Sequence, residues 1–147
     1  MRIEVFTEGD EKEIIRLLSE ANLPTEDLTP DKLKNFLVAR GKGGSVIGTI
    51  GVEPYHDIGL LRSLIVDPSH RGRGLGKQLV CELYSFAERK GIKVLFLLTT
   101  TAADFFKKLG YEVTQRSLVP APIADTEEYK NICPVSAICL LKSLESS

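Results

Sequence analysis

Met1 to Phe6 alternates apolar and polar residues as a short strand does, and Asp10 then precedes Ile14, Ile15, Leu17 and Leu18, which share one face at helical spacing. The chain thus opens β-α. Thr29-Pro30 has the form of an N-cap followed by proline at the first helical position, and predicts a short second helix through Leu33. Phe36 to Arg40 and Ser45 to Val52 are apolar, β-favouring runs joined across Gly41-Lys42-Gly43-Gly44, a link suited to a hairpin. A third run, Ile58 to Val66, extends this antiparallel meander.

The period then changes. Leu75, Leu79, Val80, Leu83, Phe86 and Ala87 recur at intervals of three and four, which predicts a helix ending near Lys90-Gly91. Val94 to Leu98 is a continuous apolar run of the buried-strand type. A helix between it and Ile58–Val66 makes a β-α-β crossover, hence a parallel pair. Thr101 to Leu109, closed by Gly110, predicts a short helix; Tyr111 to Val113 and Val135 to Leu141 predict two further strands. The expected class is α/β: a mixed, mainly antiparallel sheet of about seven strands, with one parallel pair and helices on both faces.

Composition narrows this. The 147 residues suit one domain, 1–147, and the 43% hydrophobic and 27% charged fractions are those of a folded globular protein. Nineteen basic against twenty acidic residues leave a net charge of −1, so no global field recruits nucleic acid or an anionic membrane, and any anion site must be local. The N-terminus lacks the apolar core of a signal peptide, and no apolar run is long enough to span a bilayer, so a cytoplasmic location is expected. Cys81, Cys133 and Cys139 form no C-x-x-C pair and read as reduced, mostly buried thiols.

Candidate chemistry concentrates in Asp67-Pro68-Ser69-His70-Arg71-Gly72-Arg73-Gly74-Leu75-Gly76, between a strand and a helix. At a helix N-terminus the first four N–H groups have no intrahelical partner and the macrodipole is positive, so a pyrophosphate is the natural occupant. Glycine at 72, 74 and 76 removes Cβ atoms that would hold phosphate oxygens off the backbone, and Arg71 and Arg73 add fixed positive charge. A dinucleotide fingerprint counted from Gly72 fails, because Lys77 stands where the third glycine belongs. A Walker-type loop fails because Gln78 follows Gly76-Lys77. A tight turn with solvated arginines is the reading without a ligand.

Leu64-x-Val66-x-Pro68-x-x-Arg71-Gly72-x-Gly74-x-Gly76, then an amphipathic helix, an apolar strand and Ala102-x-x-Phe105-Phe106-x-x-Leu109-Gly110-Tyr111, resembles the GNAT superfamily of N-acetyltransferases over about Ser45 to Val113. The resemblance implies that the parallel pair splays and takes the pantetheine arm of acetyl-CoA as if it were a further strand. It implies cofactor contacts at Leu64, Ile65 and Val66, pyrophosphate on N–H groups of Arg71, Gly72, Arg73, Gly74, Leu75 and Gly76, and Thr99 and Phe106 near the cofactor. It also implies direct attack of an amine on the thioester, with the Leu64 N–H as oxyanion donor and no acyl-enzyme. Many relatives carry a tyrosine at the Phe106 position and a glutamate at the Leu60 position; both are missing here.

The base is therefore open. Glu53 is a candidate acting through water, and a solvated charge at a hairpin end explains it equally. His56 is a second candidate base, with a turn residue as the simpler reading, and His70, beside the loop, suits a phosphate or solvent contact. Leu97-Leu98-Thr99-Thr100-Thr101-Ala102 with Phe105 to Tyr111 is similar to the amino-acid acetyltransferase branch, which implies a small, amino-acid-like amine. Arg62 would hold its carboxylate, or else pair with an acid of the protein. Val119-Pro120, Thr126 to Tyr129 and Cys133-Pro134-Val135-Ser136-Ala137 resemble small acetyltransferases associated with arsenic-resistance operons. Cys133 and Cys139 would then suit a soft metalloid, but packing is the simpler role and no metal is expected. Protein N-terminal or lysine acetylation, or a coenzyme A-binding module without turnover, are the alternatives; dimers are common in the family.

Overall fold

The computed structural model describes residues 2–126, 129 and 137–144. Seven strands form one sheet: β1 (Arg2–Val5), β2 (Phe36–Arg40), β3 (Val46–Tyr55), β4 (Ile58–Val66), β5 (Val94–Thr99), β6 (Glu112–Thr114) and β7 (Ile138–Ser143), in the order β1-β2-β3-β4-β5-β7-β6. The pairs β1–β2, β2–β3, β5–β7 and β6–β7 are antiparallel, and β4–β5 is parallel. The helices are α1 (Glu11–Glu20), α2 (Pro30–Leu33), α3 (Leu75–Arg89), α4 (Ala103–Lys108) and α5 (Ala121–Ala124). By its contacts the chain divides into two compact units, Met1–Glu53 with Arg62–Phe86, and Pro54–Leu61 with Ala87–Ser147.

In the first unit α1 turns Ile14, Leu17 and Leu18 inward, where they meet Leu33, Phe36, Val38 and Val46. All seven are buried, each apolar side chain contributing about 1.5–3 kcal/mol relative to exposure. Asp10 starts α1: its carboxylate accepts from the Thr7 N–H (3.0 Å) and from both Arg40 terminal nitrogens (2.8 and 2.6 Å). Arg40 also pairs with Glu4 on the neighbouring strand, so the end of β2 is clamped just before the glycine turn. Thr29 caps α2 as its sequence predicts, accepting the Lys32 N–H at 3.3 Å.

The second unit packs Leu60, Phe96, Val119, Ile123 and Cys139 together. Thr99 Oγ accepts the N–H groups of Thr101 (3.3 Å) and Ala102 (2.9 Å), which holds both residues ahead of the helix and starts α4 at Ala103 rather than Thr101. At its other end Gly110 takes φ +96°, the left-handed conformation that stops the helix. β3 runs on to Tyr55, past the expected end at Val52, because a two-residue turn at His56-Asp57 suffices to connect it to β4. β6 begins one residue late, at Glu112; the expected start of the last strand at Val135 lies outside the described residues. Helix α5 forms with Pro122 inside it because proline is tolerated in a first helical turn.

Candidate active site

The site begins with a defect in β4. Ser63 has φ +60°, a left-handed conformation costing about 1–2 kcal/mol for a residue with a side chain, in the middle of a strand. Two bonds hold it: Thr49 Oγ1 donates to the Ser63 carbonyl (2.8 Å), and Arg62 Nε donates to Ser63 Oγ (3.2 Å). Such an irregularity re-aims the backbone that follows, here the half-buried Leu64, Ile65 and Val66. The parallel ladder with β5 runs from Ile58↔Val94 to Leu60↔Phe96, and β4 continues six residues beyond it to Val66.

The loop after Val66 is anchored at its start. The Asp67 N–H donates to the Ile47 carbonyl (2.8 Å), and its carboxylate accepts the Ser69 N–H (2.9 Å) and hydroxyl (2.7 Å). Those two donors hold the Asp67 carboxyl below its ordinary range. Ser69 Oγ also meets His70 Nδ1 at 3.0 Å. Gly72 (φ +80°) and Gly74 (φ +77°) then turn left-handed, and a Cβ built at either would lie in open space. The glycines are therefore demanded by backbone conformation, and the space beside them is free for a ligand. Gly76, the third, lies in the first turn of α3.

The Gln78 N–H donates to the Gly74 carbonyl (3.1 Å), closing the first turn and leaving the N–H groups of Leu75, Gly76 and Lys77 without intrahelical acceptors. Arg71 and Arg73 are exposed, and Arg71 Nε donates to the Val66 carbonyl (3.2 Å). Free N–H groups, a 15-residue helix behind them, two guanidiniums and no Cβ at the turns make a fit for a diphosphate. Gly48 seats this assembly: a Cβ there would meet Leu79 Cδ1 at 3.1 Å and the Ile65 carbonyl at 3.2 Å.

In the second unit the Thr99 hydroxyl is occupied by the N–H groups of Thr101 and Ala102, ahead of α4. Phe106 is 4% exposed and stacks edge-on against Phe105 and Tyr111, with ring centroids 5.1 and 5.2 Å away. Leu60 is fully buried. His56 occupies the β3–β4 turn at φ +59°.

Arg62 and Glu53 are brought together, in an arrangement spacing alone does not reveal. Arg62 is fully buried; its terminal nitrogens grip Asp27 at 2.5 and 2.9 Å, and one of them reaches Glu53 Oε2 at 2.7 Å. Lys32, with a quarter of its side chain exposed, adds a second cation, 2.8 Å from Asp27 and 3.9 Å from Glu53. Burial is the largest influence on Asp27 and raises its pKa, but the hydrogen bonds from Arg62 and Lys32 outweigh it and bring the carboxyl down to about 2. Two cations thus meet two anions, and Arg62 could take an external carboxylate only by releasing one of its own.

Asp27, Lys32, Thr49 and Ser63 carry no motif. Register could have found part of this group, since a two-residue turn between β3 and β4 places Glu53 diagonal to Arg62 on one sheet face. Cys139 is buried, which pushes its thiol up to about 11; Cys133 lies outside the described residues.

Residues 32–113 match the family described as Acetyltransferase (GNAT) domain. The chain belongs to the GNAT acetyltransferase family. It is 35% identical over 74 residues to an amino-acid acetyltransferase of Ectopseudomonas mendocina, a match covering 50% of this chain and 17% of the relative. It thus spans less than a fifth of that curated protein's length. Among solved structures it is similar to N-acetylglutamate synthase of Neisseria gonorrhoeae complexed with coenzyme A and N-acetyl-glutamate, with TM-score 0.85 and 20% identity, covering 99% of this chain and 35% of that one. A Mycobacterium tuberculosis protein, Rv2747, in complex with CoA gives TM-score 0.82 at 20% identity, covering 97% of this chain and 99% of that one. At these identities the structural likeness establishes the fold, the mixed sheet with its single parallel pair.

Proposed function

We propose that this GNAT chain, as one acetyltransferase domain, transfers the acetyl group of acetyl-CoA to the amine of a small amino-acid-like molecule, in the cytoplasm where acetyl-CoA is available. The observation that carries the reading is the cradle at Gly72 to Lys77: left-handed glycines open to solvent at the N-terminus of α3, flanked by two exposed arginines. The similarity to amino-acid acetyltransferases supports the choice of acceptor. Arg71 and the N–H groups through Gly76 hold the pyrophosphate, and Leu64, Ile65 and Val66 offer backbone groups to the pantetheine amides.

The neutral amine attacks the thioester carbonyl carbon. The C–N bond forms, charge collects on the carbonyl oxygen, and the Leu64 N–H, next to the left-handed backbone of Ser63, donates to it. A preorganised donor of this kind lowers such a barrier by about 3 kcal/mol. The C–S bond then breaks and coenzyme A leaves as thiolate, a tolerable leaving group that needs no tyrosine acid where Phe106 stands. The proton shed by the nitrogen passes through water to a carboxylate, for which Glu53 is the candidate. Arg62 then acts as a positioning residue that fixes Glu53, and an acceptor carboxylate meets the partly exposed Lys32 before it meets Arg62.

A thiol-release assay with acetyl-CoA and a panel of amino acids tests this. Release with an amino acid is the expected result. Uptake of acetyl-CoA without release for any amine would make the chain a binding module, as the missing tyrosine and glutamate would favour. Acetylation of lysate proteins, read by mass spectrometry, would make proteins the acceptor.

A further inference from the structure

Coenzyme A carries a third phosphate, on the ribose 3′ position, and the pyrophosphate cradle leaves it unassigned. Beside the cradle, wholly within the first unit, lies a cavity of about 520 Å³, lined by Gly41, Lys42 and Ser45 of the β2–β3 turn, Ile47 of β3, His70 and Arg73 of the loop, and Leu75 and Gln78 of α3. Its size falls in the range of small-ligand pockets, roughly 300–1,000 Å³. Its lining contains Lys42, Arg73 and His70 and no carboxylate. Neither Lys42 nor Arg73 has an acidic partner among the described residues, in a protein whose other cations at hand, Arg40 and Arg62, are saturated with carboxylates.

We infer that this cavity takes the adenosine 3′-phosphate end of coenzyme A, with Lys42 and Arg73 as the ligands of the 3′-phosphate; the inference rests on the acetyl-CoA reading above. The two loop arginines divide the work. Arg71 is tied back to the Val66 carbonyl at the end of β4, and Arg73 lines the cavity on the far side of Gly72. A phosphate monoester carries nearly two negative charges at neutral pH, more than one guanidinium balances, and Lys42 supplies the second cation.

The turn that carries Lys42 is fixed in place. The Gly41 N–H donates to the Ser45 carbonyl (2.9 Å), the Gly44 N–H to the Gly41 carbonyl (3.1 Å), and clamped Arg40 reaches the Gly44 carbonyl (3.4 Å). Ile47 and Leu75 give the cavity an apolar floor against which a purine ring can lie, and the Gln78 amide can pair with the edge of the base. A dephosphorylated cofactor would then leave Lys42 and Arg73 without their partner.

Calorimetric titration of coenzyme A and of 3′-dephospho-coenzyme A into wild type, Lys42→Ala and Lys42→Gln tests it. Wild type is expected to prefer coenzyme A by roughly tenfold, the scale of charge-assisted bonds to phosphate. Both variants should lose most of that preference while binding dephospho-coenzyme A as wild type does. Equal affinity of wild type for the two ligands, or equal weakening of both by the variants, overturns the subsite and leaves the cofactor reading standing. Uptake of neither ligand by wild type sinks the cofactor reading and the subsite with it.

Discussion

Two arginine-bearing regions of the first unit use the same charge in opposite ways. At Arg71 to Gly76 the cations are exposed, no carboxylate faces them among the described residues, and the backbone between them is bent left-handed with space left at the bends. At Arg62 the cation is out of water, its terminal nitrogens shared between Asp27 and Glu53, with Lys32 completing the balance. The first arrangement holds positive potential in reserve for something outside the protein. The second spends its charge internally and fixes the irregular segment around Asp27 to the strand that carries Ser63 and Leu64. On the proposed function, the first device holds the phosphates of the ligand and the second stiffens the strand that carries Leu64.

The largest expected difference between them is in stability. Arg62→Ala strands two buried carboxylates and should lower the unfolding free energy by about 3–5 kcal/mol in denaturant titration; a loss under 1 kcal/mol would mean the group is wetter than described. Next is acid sensitivity. Asp27 has a folded-state pKa of about 2 against an ordinary 3.8, so its contribution is present above about pH 4 and disappears as pH falls toward 2. That is worth about 2 kcal/mol, and Asp27→Asn should flatten the corresponding part of the stability curve. Asp10, held to about 2 chiefly by Arg40, titrates in the same window, and Asp10→Asn separates the two contributions. Arg71→Ala is expected to change stability least, under about 0.5 kcal/mol, since it removes an exposed side chain. It should nevertheless weaken acetyl-CoA by about threefold to tenfold, with a shallower dependence on salt.

The same contrast explains how much was legible in the sequence. The cradle is contiguous: its glycines and arginines fall within Arg71 to Gly76, between a strand and a helix marked by a change of hydrophobic period, so both loop and fold class are legible directly. The Arg62 group is assembled from positions 27, 32, 53 and 62, and Asp27 sits in an irregular stretch with no periodicity to place it. Glu53 and Arg62 each stand out for their chemistry, but their pairing depends on the two-residue turn at His56-Asp57, and the polar Tyr55 to Asp57 stretch reads as a longer loop. Ser63 is the extreme case. Nothing about a serine inside Leu61 to Val66 signals a left-handed residue, because tertiary bonds from Thr49 and Arg62 impose it.

On the proposed function, bare main-chain N–H groups at left-handed glycines bind the cofactor's diphosphate. Calorimetric titration of acetyl-CoA into wild type and Gly74→Val tests it most directly, with thermal melts to confirm that the exposed loop substitution leaves the fold intact. Wild type should bind, and the variant should lose at least about tenfold in affinity, because a branched side chain disfavours φ +77° and fills the space beside it. No uptake by wild type, or equal affinity of the two proteins, would contradict the account.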